Sequence, residues 1–195
     1  MNAVSRFFVN LSATRRAVRN CRWIGREVTV PADARCLEIG CGNGAFARRF
    51  VGAFRPALYV ATDFDPRQIE AAMRPDSRTP VPTPAGALLF RTADVRELPF
   101  PVASFEVALA FLAIHHASPS HGDFSGVPPA LTELDRVLQP GGQLVYEEFL
   151  HKQGIRAWLG AHGYVLERVR RRWRLEWIAA RKPNGGPSPS STDGR

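Results

Sequence analysis

Three glycines within five residues close an apolar run at Glu38-Ile39-Gly40-Cys41-Gly42-Asn43-Gly44. Lacking Cβ atoms, such a turn bends tightly and lets a ligand approach the backbone. The spacing is not G-x-G-x-x-G, because the third residue after Gly42 is Ala45. The longer spacing seats a pyrophosphate on a helix N-terminus, and Glu38 places negative charge beside any phosphate. The same acid suits a cationic ligand. Asp63 ends the apolar stretch LYVAT, where a carboxylate accepts hydrogen bonds from both ribose hydroxyls. Asp65, just ahead of Pro66, fits a helix cap instead. Asp94, in Ala93-Asp94-Val95, follows a third apolar stretch and suits an exocyclic amine. A free histidine titrates near neutrality, so His115 and His116 are the candidates for a general base, with Glu147 and Glu148 behind them. Packing or capping in a loop is the weightier reading of the histidine pair. His115, His116, His121 and Asp123 lie close in sequence, but a flexible loop gives no metal geometry, so no metal ligand is assigned.

These residues need elements to hold them. Helices are expected at 4–27, 45–53, 66–73, 128–138 and 152–162. Strands are expected at 34–39, 58–62, 87–93, 105–111, 143–149, 164–170 and 174–181, with Pro140-Gly141-Gly142 as a turn. Leu131, Leu134, Val137 and Leu138 give the helix at 128–138 its apolar face. The alternation predicts an α/β fold, a doubly wound, mostly parallel seven-stranded sheet with helices on both faces. In such a sheet the ligand lies beyond the carboxyl ends of the strands, which is where Gly40–Gly44, Asp63, Asp94 and Phe111 fall. One domain is expected over 1–182, with a helical segment at 1–30 and the α/β core at 31–182. The stretch 74–86 reads as a proline-rich loop and 183–195 as a disordered tail.

Composition narrows the class. A chain of 195 residues, 45% hydrophobic and 23% charged, is long enough to bury a core without disulfides. Its three cysteines, Cys21, Cys36 and Cys41, have no C-x-x-C spacing, which argues against a cysteine zinc site. No apolar run reaches the length of a membrane span. The net charge of +8 is concentrated at the ends: +5 over 1–36, −4 over 37–150 and +7 over 151–182. Ends of this kind could attract an anionic partner such as RNA or a membrane surface, but no aromatic-basic recognition motif accompanies them, and a solvated basic surface is the favoured reading. Residues 1–26 contain Arg, Ser and Thr without an acid, as a mitochondrial transit peptide does. Their apolar positions also fit a helix, and a cytoplasmic location is the expectation.

Taken together, LEIGCGNG (37–44), VATDFDP (60–66), TADVRELPFPVASFEVALAFLAIHH (92–116) and LTELDRVLQPGGQLVYEEF (131–149) resemble the class I S-adenosylmethionine-dependent methyltransferases. The likeness covers 35–150 and is nearest the type 11-like, small-molecule subgroup. It implies a Rossmann-like methyltransferase fold with S-adenosyl-L-methionine as cofactor. It implies that Glu38 and Gly40, Cys41, Gly42, Asn43 and Gly44 face the methionine moiety. Asp63 would hold the ribose, Phe64 would lie beside the adenine, and Asp94 and Val95 would meet its amine and ring. Ala110 and Phe111 would line the methyl donor. It also implies a final antiparallel strand at the sheet edge, assigned to 174–181. Glu106 stands where the family's fourth strand usually opens with Asp, and no large substrate-binding insertion follows the fifth strand.

Some acceptors are disfavoured. Phe111-Leu112-Ala113-Ile114 is unlike the Asn-Pro-Pro-Tyr tetrad that serves adenine or glutamine acceptors. No cysteine follows the fourth or fifth strand to attack a pyrimidine. The first expectation is an enzyme acting on an unidentified small-molecule acceptor. The alternatives are an RNA or protein methyltransferase docking through its basic ends and a non-catalytic binding module that keeps the cofactor fold. A nicotinamide oxidoreductase is disfavoured by the glycine spacing. The oligomeric state is not legible.

Overall fold

The computed structural model describes residues 3–74, 87–120 and 122–185, with side chains from residue 14 onward. The chain forms two compact units, Met1–Asp94 and Val95–Arg195. The stretch 75–86, His121 and the tail beyond 185 lie outside the described residues.

The first unit contains α1 (Ala3–Glu27), β1 (Arg35–Ile39), α2 (Ala45–Phe54), β2 (Leu58–Asp63), α3 (Pro66–Met73) and β3 (Ala87–Thr92). Its strands are parallel, with Glu38 in register with Ala61 and Asp63 with Thr92. β1 and β2 are short, mainly apolar strands buried along most of their length, as expected for parallel strands covered on both faces. α2 buries Phe46, Ala47, Phe50 and Val51, and the Phe50 ring lies 5.1 Å from that of Tyr59 on β2. α1 packs along α2 and buries Ala17, Asn20, Cys21 and Ile24. Asp65 caps α3 by accepting from the Arg67 backbone N–H at 2.9 Å, with Pro66 in the first turn, as its sequence position predicts.

The second unit contains β4 (Phe105–Phe111), a 3₁₀ turn (Ile114–Ala117), α4 (Val127–Val137), β5 (Leu138–Glu148), α5 (Lys152–Ala161), β6 (Val165–Arg172) and β7 (Leu175–Arg181). α4 turns Val127, Ala130, Leu131, Leu134 and Val137 inward. β4 and β5 are parallel, while β7 runs antiparallel to both β5 and β6. The seven strands have the order β3-β2-β1-β4-β5-β7-β6, a mixed sheet of the Rossmann-like α/β class.

Three expectations change. The edge strand is β6, with β7 between it and β5. The composition explains the order: β7 buries Trp177, Ile178, Ala179 and Ala180, whereas β6 is exposed along nearly its whole length and rich in arginine. The strand that can be buried on both faces goes inside, and the charged one covers the edge. Pro140-Gly141-Gly142 belongs to the long β5, and Gly141 at φ 73° takes the bend there. The segment after β4, expected as irregular loop, winds into the 3₁₀ turn and buries Ile114, His115 and Ala117. Among the described residues, no helix is long and apolar enough to cross a membrane.

Candidate functional site

The glycine loop connects β1 to α2. Gly40, Gly42 and Gly44 have φ of 66°, 53° and 73°, a left-handed region costly for residues with a Cβ. Gly44 is restricted twice, since a Cβ there would lie 2.8 Å from the Phe90 ring. The loop is tied to β2 and α3. The Cys41 N–H donates to the Thr62 carbonyl at 2.9 Å, and the Gly42 N–H donates to Asp63 Oδ2 at 2.8 Å. The other oxygen, Asp63 Oδ1, accepts from the Asp65 N–H at 3.0 Å. Two backbone donors thus orient a partly exposed carboxylate that keeps lone pairs for further donors. Phe64 beside it is 70% exposed, and the Ala93 N–H donates to the Asp63 carbonyl, bringing Asp94 to the end of β2. Asn43 Oδ1 accepts from the Ala45 N–H, and Cys41 is buried.

Glu38 lies beneath the loop, almost fully buried, with Tyr59 Oη donating to its Oε2 at 2.9 Å. Burial pushes its carboxyl up to about 8; the Tyr59 hydrogen bond opposes this, and the negative field of Asp63 adds to it. An arriving cation would favour the ionised form. Arg48, which the sequence reading did not single out, supports the loop from inside. It is buried on α2, donates from Nη1 to the Asn43 carbonyl at 3.1 Å, and from Nη2 to the Ala72 and Arg74 carbonyls. Those carbonyls belong to the end of α3, where a helix leaves acceptors unfilled. The visible signal was a basic residue inside the apolar stripe of α2.

The second unit has a different polar centre. His115 Nδ1 lies 2.7 Å from Glu148 Oε2, and the His115 backbone N–H donates to Glu148 Oε1 at 3.3 Å. Both side chains are buried. A carboxylate accepting at Nδ1 fixes the imidazole tautomer and makes Nε2 the basic atom. His116 is exposed and its ring lies 4.0 Å from that of His115. Phe149 meets His115 edge-on at 5.0 Å.

Backbone geometry builds this centre. Leu112 leaves β4 at φ 57° and donates its N–H to the Glu147 carbonyl at 2.8 Å, turning the chain into the 3₁₀ helix. Gly126 presses on that helix from the start of α4, because a Cβ there would fall 2.1 Å from the Ala117 carbonyl oxygen. Its N–H donates to Ser118 Oγ at 3.0 Å. Glu148 and Glu176 face each other across β5 and β7. Two buried carboxylates in register repel unless each has a cation or donor. Glu176 is held by Arg156 and, at 2.8 Å, by Arg171, while His115 takes Glu148. Ala110 is fully buried in β4, Phe111 ends that strand partly exposed, and Val95 is partly exposed.

A family model described as a methyltransferase domain matches residues 37–146, more than half of the sequence. The chain belongs to the methyltransferase domain family. Among its relatives are a fatty-acid O-methyltransferase of Mycolicibacterium smegmatis, 32% identical over 64% of this chain and 40% of its own length, and the 27-O-demethylrifamycin SV methyltransferase of Amycolatopsis mediterranei, 34% identical over 61% of this chain and 40% of its own. This methyltransferase-family chain therefore spans well under half the length of those relatives. The fold is shared with the YcgJ protein of Bacillus subtilis, at a TM-score of 0.69 and 16% identity, covering 86% of this chain and 99% of that one. It is also shared with an S-adenosylmethionine-dependent methyltransferase of Aquifex aeolicus, at 0.65 and 13%, covering 83% and 88%.

Membership indicates S-adenosylmethionine as the cofactor, and the residues of the first unit fit it. The glycine turns expose backbone without Cβ atoms, Asp63 keeps lone pairs for further donors, and the acids around the loop suit a cation. Glu38, Gly40–Gly44, Asp63 and Phe64 are the residues suited to hold it.

Proposed function

We propose that the protein is an S-adenosylmethionine-dependent methyltransferase acting on an oxygen of an apolar small molecule, with His115 as the base. The observation that carries this reading is the buried His115–Glu148 pair. A carboxylate acceptor has already lost its proton and needs no base, whereas a hydroxyl must lose one for transfer. The relatives named for a fatty acid and for 27-O-demethylrifamycin SV support an oxygen acceptor on a lipid or polyketide skeleton. The pair favours the hydroxyl.

Bound S-adenosylmethionine supplies a methyl group activated on a sulfonium. Asp63 receives the ribose hydroxyls and keeps the glycine loop in place through Gly42. Glu38 and Asp63 supply negative charge for a cationic cofactor. His115 Nε2 takes the acceptor proton, and Glu148 stabilises the imidazolium that results. Much of the remaining rate comes from aligning the acceptor oxygen with the methyl carbon, because a held near-attack geometry replaces a chance collision with an intramolecular step. In this proposal Asp94 and Val95 serve the adenine, and Ala110 and Phe111 line the methyl donor, within one domain over 1–182.

The first test is calorimetric titration of the full chain with S-adenosylmethionine, its demethylated product and NADH, alongside Asp63→Ala. Micromolar binding of the first two, weakened in the variant, supports the cofactor assignment. Binding of NADH alone overturns it. Transfer of labelled methyl to a long-chain hydroxy acid methyl ester, but not to a fatty acid, supports the hydroxyl. The reverse preference removes the role given to His115.

A further inference from the structure

We propose that the tip of the β6–β7 hairpin docks the protein on an anionic phospholipid surface. β6 ends at Arg172 and β7 begins at Leu175, and these two residues pair across the hairpin. The connection is therefore the two residues Trp173-Arg174. Two-residue hairpin loops form type I′ or II′ turns, whose first central position needs positive φ and so favours glycine or asparagine. Here the first is Trp173 at φ 56°, 96% exposed. A bulky aromatic held in the left-handed region and bared to water costs the hairpin twice, in backbone strain and in apolar exposure.

Part of the charge around the ring is uncommitted. Arg171 is engaged by Glu176, and Arg170 lies over the Trp177 ring at 5.5 Å. Among the described residues, neither Arg172 nor Arg174 has a carboxylate partner. Lys152 adds another cation, its Nζ donating to the Arg174 carbonyl at 2.9 Å. Beyond the tip, Val165, Leu166 and Val169 of the same edge strand are exposed.

An indole flanked by guanidiniums, with aliphatic side chains behind it, matches the headgroup region of a bilayer. Indole favours that interface, and cations there are drawn to acidic headgroups. A single-stranded nucleic acid instead uses several aromatics spaced along a basic groove as stacking platforms. This hairpin offers one exposed aromatic and three aliphatic residues, which favours the lipid surface. The contact is peripheral, through a loop, and needs no spanning helix. It does not depend on the catalytic role given to His115.

Flotation of the full chain with vesicles tests it. Binding is expected to vesicles of phosphatidylcholine and phosphatidylglycerol in equal parts, not to phosphatidylcholine alone, and to weaken with salt. At roughly five-fold per arginine neutralised near the surface, Arg172→Gln with Arg174→Gln should lower the partition coefficient about 25-fold. Trp173→Ala should lower it about ten-fold and leave circular dichroism unchanged. Equal partitioning of the variants and the parent overturns the proposal, as does absence of binding to the mixed vesicles. Binding of a bulk transfer-RNA probe without vesicle binding assigns the tip to nucleic acid instead. Self-association of the double variant with unchanged vesicle binding reduces the arginines to guards of a sheet edge.

Discussion

The glycine loop of the first unit and the histidine centre of the second are made in opposite ways. The loop is local: five residues with their torsions, braced by Asp63 from the next strand and Arg48 from the following helix. The histidine centre joins His115 to a carboxylate 33 positions away, and it exists only because β4 and β5 pair in the observed register. A site of the first kind survives in sequence as a motif. A site of the second kind survives only as two ordinary residues. Under the proposed function the contrast also separates roles: the first unit would bind the cofactor, and the second would move the proton.

Removing the proposed base tests that separation hardest. His115→Ala is expected to lower kcat for a hydroxyl acceptor by about 10³-fold, the usual range for a general base, with cofactor affinity unchanged. Steady-state kinetics and calorimetry on one preparation check both. Glu148→Gln keeps the ring in place with a weaker partner and should cost about ten-fold to a hundred-fold in kcat. A parallel loss of cofactor affinity in either variant breaks the division of labour.

The reciprocal change is Asp63→Ala, expected to weaken S-adenosylmethionine binding by about 100-fold, from the loss of two charge-assisted hydrogen bonds worth roughly 1.5 kcal/mol each. At saturating cofactor, kcat should fall far less. Gly126→Ala sharpens the same contrast from the backbone side. Its Cβ has no room against the Ala117 carbonyl, so the 3₁₀ turn must shift. Turnover should drop about ten-fold or more while cofactor affinity holds, a misplacement cost of the kind expected near a reacting group.

The smallest effect is on stability. Glu38 is raised from 4.5 to about 8 by burial, so the folded chain holds a proton that the unfolded chain has lost across that window. Stability therefore falls as pH rises from about 4.5 toward 8 and levels off above it, by a few kcal/mol at most. Glu38→Gln has no proton to release and should show a flatter dependence of Tm on pH between 5 and 8. An unchanged slope would mean that Glu38 is already ionised in the folded protein.

Much of the architecture was legible because its causes are local. Apolar runs, the Asp65-Pro66 helix start and the stripe of α4 each follow from a few neighbouring residues, and apart from the early start of β5 their boundaries agree to within a residue or two. The placement of β7 was not read, because two strands of similar length can exchange places without altering the helical or alternating pattern. What separates them is burial on both faces, visible only in the contrast between Trp177-Ile178-Ala179-Ala180 and the arginines of β6. The loop residues and Asp63 were named from spacing. His115 was named without its partner, since nothing near it in sequence announces that Glu148 meets it. Arg48 and Gly126 were missed because their partners are backbone carbonyls, which leave no trace in a motif.

The insertion of β7 between β5 and β6 also has a temporal consequence. During synthesis β5 emerges well before the strand that covers its outer flank, and β6 emerges with no strand of its own to join. The interval between β5 and β7 is spent with an open row of amide and carbonyl groups, the kind that recruits neighbouring chains. The second unit therefore becomes safe from misassembly only after Arg181 has left the ribosome and the hairpin has docked as a pair.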